Sequence, residues 1–466
     1  MNQQTRIENI SRIIKRDLDN PHGKIDIPWQ DSLVPMPVYL IPLEYLVYNK
    51  YNGRILSKTQ SLERQNQKID VESPEGKSQI EDFLYATNPL RNKQTLESLK
   101  KVGQEKVGIV TKDGIIIDGN RRAMLLHKAG KTFFKAVVLD ATLEENPLAI
   151  EELETSFQMG EDKKLDYNPT EKYLKAKQLE KRGVKVATIA SWMGEPESVV
   201  KKYLKVMKIM DEYLDYLDQN GIYTQLDGRE DQFIILADEL GVLYGASNGK
   251  GFDGYRDTDV DDLKAISFDY IRIRFEGKEF RYIAYGKQES NFFGNKEIWT
   301  SFRDFHFEHI KPIVLQEDKI DIDSPDLGST LDDRDARFLR ATEKTISGKS
   351  FMRENVEDHL RKLNNTKYVN QPIKLVSNAL DSLTAIDPKN QATDTPEVLD
   401  QIQKITELTS KMILAKSPKR VLSDIVASLR VIDLEKNEDS IDDLLEQVKE
   451  IEKAAYRIEK ELKSLR

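Results

Sequence analysis

Short apolar runs broken by turns dominate the chain from Met36 to about residue 141. Val38-Tyr39-Leu40-Ile41-Pro42 reads as a strand, and Leu43–Val47 opens the next element. Val107–Thr111 and Ile115–Ile117 read as two strands joined through Asp113-Gly114, a hairpin signal. Asn120–Ala129 has helical spacing and ends at Gly130, and Thr132–Leu139 reads as a further strand. Residues 1–35 form an extension with one short helix and a loop, and residues 57–93 form a charged, irregular insertion with helical pattern around Ile80–Tyr85. Thr95–Lys101 is a short amphipathic helix. Strands interleaved with short helices make residues 36–141 an α/β or α+β domain.

Helical spacing takes over across residues 142–215. At Asn168-Pro169-Thr170-Glu171, Asn168 suits a cap, Pro169 the first helical position, and Glu171 a capping box. That helix stops near Gly183; Val186–Met193 and Pro196–Met210 follow. In residues 216–329, Tyr270–Phe275 alternates, turns at Glu276-Gly277-Lys278 and returns through Phe280–Tyr285, which predicts a hairpin within a small α+β domain. Residues 330–466 are helical in pattern, with a polar linker from Pro388 to Pro396. The last helix carries apolar residues at Ile441, Leu444, Val448, Ile451, Ala455, Ile458, Leu462 and Leu465, a heptad seam suited to self-association. The expected fold class is therefore α+β in front, a helical domain, a small α+β middle domain, and an α-helical C-terminal region.

Composition narrows the classes of function. The 466 residues include no cysteine, which excludes disulfides, thiolate metal sites and cysteine nucleophiles. The start of the chain lacks the apolar core of a secretory signal, and no apolar run is long enough to span a bilayer, so a cytoplasmic protein without membrane contact is expected. The formal net charge is -9, so nucleic-acid contact would have to come from a local basic surface. Residues 171–208 supply one: ten Lys/Arg against four Glu, a local excess of +6. On the last helix of that segment Ser198, Lys201, Lys202 and Lys205 share a face and are the candidate DNA contacts. No arginine or asparagine joins them, which favours contact with the backbone over base readout.

The sharpest chemistry lies at Ile115–Leu125. A strand runs into Asp118-Gly119, and a helix begins at once. Gly119 permits a tight turn and close approach of a ligand. The free amides of the helix start favour an anion, and Arg121 and Arg122 can grip phosphate oxygens. Asp118 could hold a metal ion or polarise a water, and is the candidate catalytic residue. A hairpin turn followed by two merely solvated arginines is the alternative.

This segment resembles the ParB N-terminal domain, whose fold is shared with sulfiredoxin. The resemblance rests on Pro42-Leu43, Leu46, Asn49 and Arg54 of an opening motif, and on Gly119-Asn120-Arg121-Arg122, which is similar to the family's G-E-R-R motif except that Asn120 replaces glutamate. Residues 168–210 resemble the helix-turn-helix that follows in ParB. The resemblance covers about residues 36–210. It implies a nucleoside triphosphate ligand, CTP or ATP, held by Asn49, Arg54, Gly119, Asn120, Arg121 and Arg122. It further implies DNA as partner and a Mg²⁺ ion, with Asp118 and Asn120 as candidate ligands. The heptad seam, by its own pattern, is expected to form a homodimer through the C-terminal helices or else to fold back on the preceding helix. Asn120 is a poorer metal ligand than glutamate, which sets binding apart from catalysis. Two alternatives remain: a nucleotide hydrolase, phosphotransferase or nuclease of the same fold in a mobile-element or phage-defence system, and a scaffold that has lost the chemistry.

Two weaker patterns are set aside. Asp304, His306, Glu308 and His309 are metal-capable, but their alternation with Phe302, Phe305 and Phe307 suits a packed element better. Ser347-Gly348-Lys349-Ser350 is similar to the end of a P-loop, yet Glu343 stands where its first glycine belongs.

Overall fold

Strand after strand in the N-terminal part is apolar on both faces, and a sheet covered on both sides requires this. The computed structural model describes residues 1–30, 32–64, 68–161, 168–245, 250–273, 280–315, 331–347, 349–369, 371–387, 390–416, 418–430, 432 and 441–465. By internal contacts it divides into Met1–Asn370 and Gln371–Arg466.

The first unit opens with helix α1 (Gln3–Arg16) and the hairpin β1 (Lys24–Trp29) and β2 (Ser32–Pro42). Strand β3 (Val47–Tyr48) and helices α2 (Leu56–Glu63), α3 (Pro74–Ala86) and α4 (Pro89–Lys101) follow. Then come β4 (Gly108–Val110), β5 (Ile115–Asp118), α5 (Asn120–Lys128) and β6 (Phe133–Val138). The six strands lie in the order β1-β2-β6-β4-β5-β3. Pairings β2–β6 and β4–β5 are antiparallel; β3–β5 and β4–β6 are parallel.

Period-two alternation sorts the strand residues between two cores. Tyr39, Val110, Ile116 and Ala136 pack with Ile10 of α1, Ile80 and Leu84 of α3, and Met124 of α5. Their neighbours Val38, Ile109, Ile117 and Val137 pack on the other face with Ile150 and Leu153 of α6 (Pro147–Thr155). The N-terminal residues are thus part of this layer: Arg6 of α1 is buried and donates from Nε to the Asp113 carbonyl at 2.8 Å.

Residues 57–93 depart from the irregular insertion expected above, since α2, α3 and the start of α4 occupy most of them. Ser73 and Asn88 cap α3 and α4, each followed by proline at the first helical position.

Beyond α6 the described residues of the first unit are helical. They include α7 (Pro169–Lys181), α8 (Val186–Met193), α9 (Glu197–Tyr216), α10 (Glu230–Leu243), α11 (Asp257–Arg272) and α12 (Arg281–Ala284). Helices α13 (Lys296–Phe305), α14 (Lys311–Leu315), α15 (Leu331–Ser347) and α16 (Lys349–Lys367) complete the unit. Among the described residues of 270–285 no strand of the expected hairpin is formed. Tyr270 to Arg272 end α11, Arg281–Ala284 is helical, and residues 274–279, Arg274 included, lie outside the described residues. Val260, Leu263, Ile266 and Tyr270 line one buried helical stripe, and Asp257 and Asp259 favour the helix start. A sixteen-residue amphipathic helix overrides the first three of the alternating residues, Tyr270 to Arg272, at its end. The middle region is accordingly all-helical where described, not α+β. His306 is buried there beside Asp269 rather than on a polar metal-binding face. Among the described residues no group of three or more His, Cys, Asp or Glu is placed to hold a metal ion.

The second unit contains α17 (Pro372–Thr384), α18 (Pro396–Lys416), α19 (Pro418–Arg430) and α20 (Ile441–Ser464). Ile441, Val448, Ile451 and Leu462 of the heptad seam are exposed. No described helix is long and apolar enough to cross a membrane.

Candidate functional site

Gly119 is the pivot of the site. It sits between β5 and α5 at φ 102°, a left-handed conformation that side chains resist. A Cβ there would also lie 2.8 Å from Phe134 Cζ. The turn and the first residues of α5 border a cavity of about 300 Å³. Arg54, Arg91, Arg121 and Arg122 line it together with Lys106, against the carboxylates of Glu105 and Asp118. Thr95 and Ser98 of α4 add hydroxyls on the facing wall.

Arg121 and Arg122 are anchored by their surroundings. Arg122 donates to the carbonyls of Lys106 and Val107 at 3.1 and 3.2 Å, and forms an ion pair of 3.0 Å with Asp118. Arg121 donates from Nε to Asn92 Oδ1 on α4. Asn92 is itself fixed, since its Nδ2 donates to the carbonyls of Leu84 and Tyr85. The guanidinium groups of Arg121 and Arg122 are therefore held in place before any ligand arrives, which lowers the entropic cost of binding one.

Asn120 and Asn49 turn inward. Asn120 is 2% exposed; its Oδ1 accepts the Asn49 backbone N–H at 2.9 Å, and its Nδ2 donates to the Ile116 carbonyl at 2.9 Å. Asn49 Oδ1 accepts the Tyr51 N–H, and its Nδ2 donates to Glu154 Oε1 at 3.1 Å. Asn120 borders the cavity, whereas Asn49 is not among the described residues that line it. The Asn120 amide ties the end of β3 to β5, and the Asn49 amide ties that same point to α6. Arg54 and Gly119 do reach the cavity. Arg91 was not anticipated, although Asn88-Pro89 marks the start of the helix that carries it.

Behind Asn49 the contacts continue into the helical region. Lys175 of α7 is 2% exposed and lies between Glu154 at 3.3 Å and Glu151 at 3.4 Å. Glu151 also binds Arg182 at 2.6 Å. Burial pushes the Glu154 carboxyl up from its ordinary value, and Lys175 opposes that shift. Glu171 does not close a capping box on its own helix. Its two oxygens meet the Ser57 hydroxyl at 2.6 Å and the Ser57 N–H at 3.0 Å, capping α2 from across the structure.

The basic helical segment is only partly open. Helices α8 and α9 are joined through Gly194 at φ 62°. Ser198, Lys201, Lys202 and Lys205 are all exposed on α9. Lys201 pairs with Glu197 at 2.6 Å and Lys202 with Asp238 of α10 at 2.9 Å. Lys205 lies against Gly241 of α10, where an added Cβ would fall 2.4 Å from its Nζ. Lys172, Lys175, Lys177 and Arg182 also have carboxylate partners. The local charge excess is thus smaller at the surface than in the sequence.

No family model matches this sequence, and no curated protein matches it. Among solved structures it is similar to a Pnob8-like ParB-N domain, at 13% identity over 53% of this chain and 92% of that one, with a TM-score of 0.33. It is also similar to the C-terminally truncated chromosome-partitioning protein ParB from Caulobacter crescentus, complexed with CTP-γ-S. That likeness has 18% identity over 43% of this chain and 92% of the other, with a TM-score of 0.16.

Proposed function

We propose that the chain binds a nucleoside triphosphate, CTP or ATP, through the phosphates at the Asp118–Arg122 turn, and that it is a nucleotide-responsive DNA-associated factor. The observation that carries this reading is the convergence of Arg54, Arg91, Arg121 and Arg122 on one cavity at the amino end of α5. Four guanidinium groups in one cleft repel one another, and a polyphosphate relieves that repulsion.

The donor set fits phosphate better than a tightly held metal. Asn120 spends its carbonyl oxygen on Asn49, and one oxygen of Asp118 is paired with Arg122. A magnesium ion would depend on Asp118, the phosphates and water. The Asp118–Arg122 pair makes Asp118 a positioning group in this reading, so binding rather than hydrolysis is proposed.

DNA contact is assigned to the exposed face of α9, with α8, the Gly194 turn and α9 as the helix-turn-helix. Surface ion pairs such as Lys202–Asp238 are weak and can be exchanged for phosphate contacts. Self-association is assigned to the exposed seam of α20. Coupling between nucleotide and DNA would run from Asn120 through Asn49 and Glu154 to Lys175 of α7.

The test is a titration of CTP, ATP, GTP and UTP, with and without Mg²⁺, against the full chain and its Arg91→Ala and Arg122→Ala variants. Binding of at least one nucleotide, weakened about tenfold or more in each variant, is expected. No binding by any of the four, or equal binding by both variants, removes the reading.

A further inference from the structure

A second cavity lies in the helical part of the first unit, apart from the turn at Gly119. Its volume is about 280 Å³. Tyr213 of α9, Gln219 in the following turn, Arg229 at the start of α10 and Arg272 at the end of α11 line it, with Asp332 and Asp335 of α15.

Arg229 is 7% exposed and lacks a carboxylate partner among the described residues. Its Nη1 donates to the Tyr213 hydroxyl at 2.5 Å, while its Nε has no hydrogen-bond partner among the described residues. Gln219, 8% exposed, likewise leaves its Oε1 without one. Its terminal amide can be turned to present the NH₂ group instead. The carboxylates nearby are engaged elsewhere. Asp335 accepts from Arg334, Thr224 and Gln225, and Asp332 is exposed. Asp269, one turn before Arg272, accepts from Tyr216, His306 and Lys311, and its charge also acts on Arg272. Burial lowers the pKa of Arg272; Tyr213, Asp269 and Tyr216 oppose that shift, and the nearby charge of Arg229 adds to it. A buried cation with an unused donor is expensive unless an anion completes it.

We infer that this cavity binds a small oxyanion, a phosphate or carboxylate group, between Arg229 and Arg272. Tyr213 and Gln219 supply further donors, and the volume suits a small ligand rather than a whole nucleotide triphosphate. The inference is independent of the phosphate site at Gly119.

Hydrogen exchange followed by mass spectrometry tests it on the full chain carrying Arg122→Ala, which weakens the other anion site. Inorganic phosphate and succinate are titrated separately. Protection of peptides spanning residues 217–229 and 332–338 by either probe is expected, and the responding probe identifies the source. Arg229→Met and Gln219→Glu should each raise the concentration for half-protection about tenfold or more. Should Arg229→Met fail to fold, Gln219→Glu decides, because it puts a carboxylate where the anion would sit. Protection by neither probe overturns the inference, as does protection unchanged in Gln219→Glu.

Discussion

Asn120 Oδ1 receives the backbone N–H of Asn49 at 2.9 Å, so the side chain that interrupts the arginine motif is a clasp between β3 and α5. Its Nδ2 completes the clasp on the Ile116 carbonyl of β5. Asn120→Ala leaves the buried Asn49 amide unmatched and should cost about 1–3 kcal/mol in urea unfolding. Asn120→Asp keeps the acceptor but turns an oxygen toward the Ile116 carbonyl, and should cost a similar amount. Nucleotide affinity should fall with stability in both. A variant of unchanged stability that lost only its magnesium dependence would instead make Asn120 a metal ligand.

Lys175 carries the next step of the same chain of contacts, between Glu151 and Glu154. Its value lies in compensating two buried carboxylates rather than in the pairs themselves. Lys175→Met should therefore destabilise the first unit by about 3–5 kcal/mol. Adding Glu154→Gln should recover part of the loss, because one uncompensated charge disappears. Additive losses in the double variant would show that Glu154 and Lys175 act separately.

The lysine face of α9 is restrained by α10, chiefly through Lys202 and Asp238. Asp238→Asn releases Lys202 and removes a negative charge beside the proposed DNA surface. Tighter DNA binding is expected, read by fluorescence anisotropy at several salt concentrations. Lys201→Ala and Lys205→Ala should weaken binding across all sequences and reduce the salt slope by about one each. Unchanged DNA affinity in all three variants would place any nucleic-acid surface elsewhere.

Much of the sheet could be read from the chain because its strands are short, apolar and bounded by turns. The Asp113-Gly114 hairpin and the Gly119 turn carry their own local signals. The helical insertion was missed although Ser73-Pro74 and Asn88-Pro89 repeat the pattern seen at Asn168-Pro169. The expected hairpin at 270–285 fails at Tyr270 to Arg272 because a short alternating run looks the same at a helix end as in a strand. The anchoring contacts of Asn120, Asn49 and Glu171 were out of reach for another reason. Their partners lie 71, 105 and 114 residues away, and nothing in a local pattern encodes such pairings.

Glu171 offers the clearest dependence on pH. Burial pushes its carboxyl up to about 8 from an ordinary value of 4.5, against the opposing hydrogen bonds from Ser57. Below about pH 4.5 the group is protonated in both folded and unfolded chains, and its stabilising effect is complete. Between about 4.5 and 8 the unfolded chain ionises while the folded chain keeps its proton, so stability declines as pH rises. Above about 8 both states are charged and the decline from this group ends. The slope from this one group is at most about 1.4 kcal/mol per pH unit. In the neutral form one oxygen can donate to the Ser57 hydroxyl while the other accepts the Ser57 N–H, an arrangement that a glutamine reproduces. Glu171→Gln should therefore match the parent near pH 4, exceed it increasingly up to about pH 8, and keep a constant margin above that, in urea midpoints measured from about pH 4 to 9. Parallel curves for the two proteins would show that Glu171 is ionised in the folded state throughout.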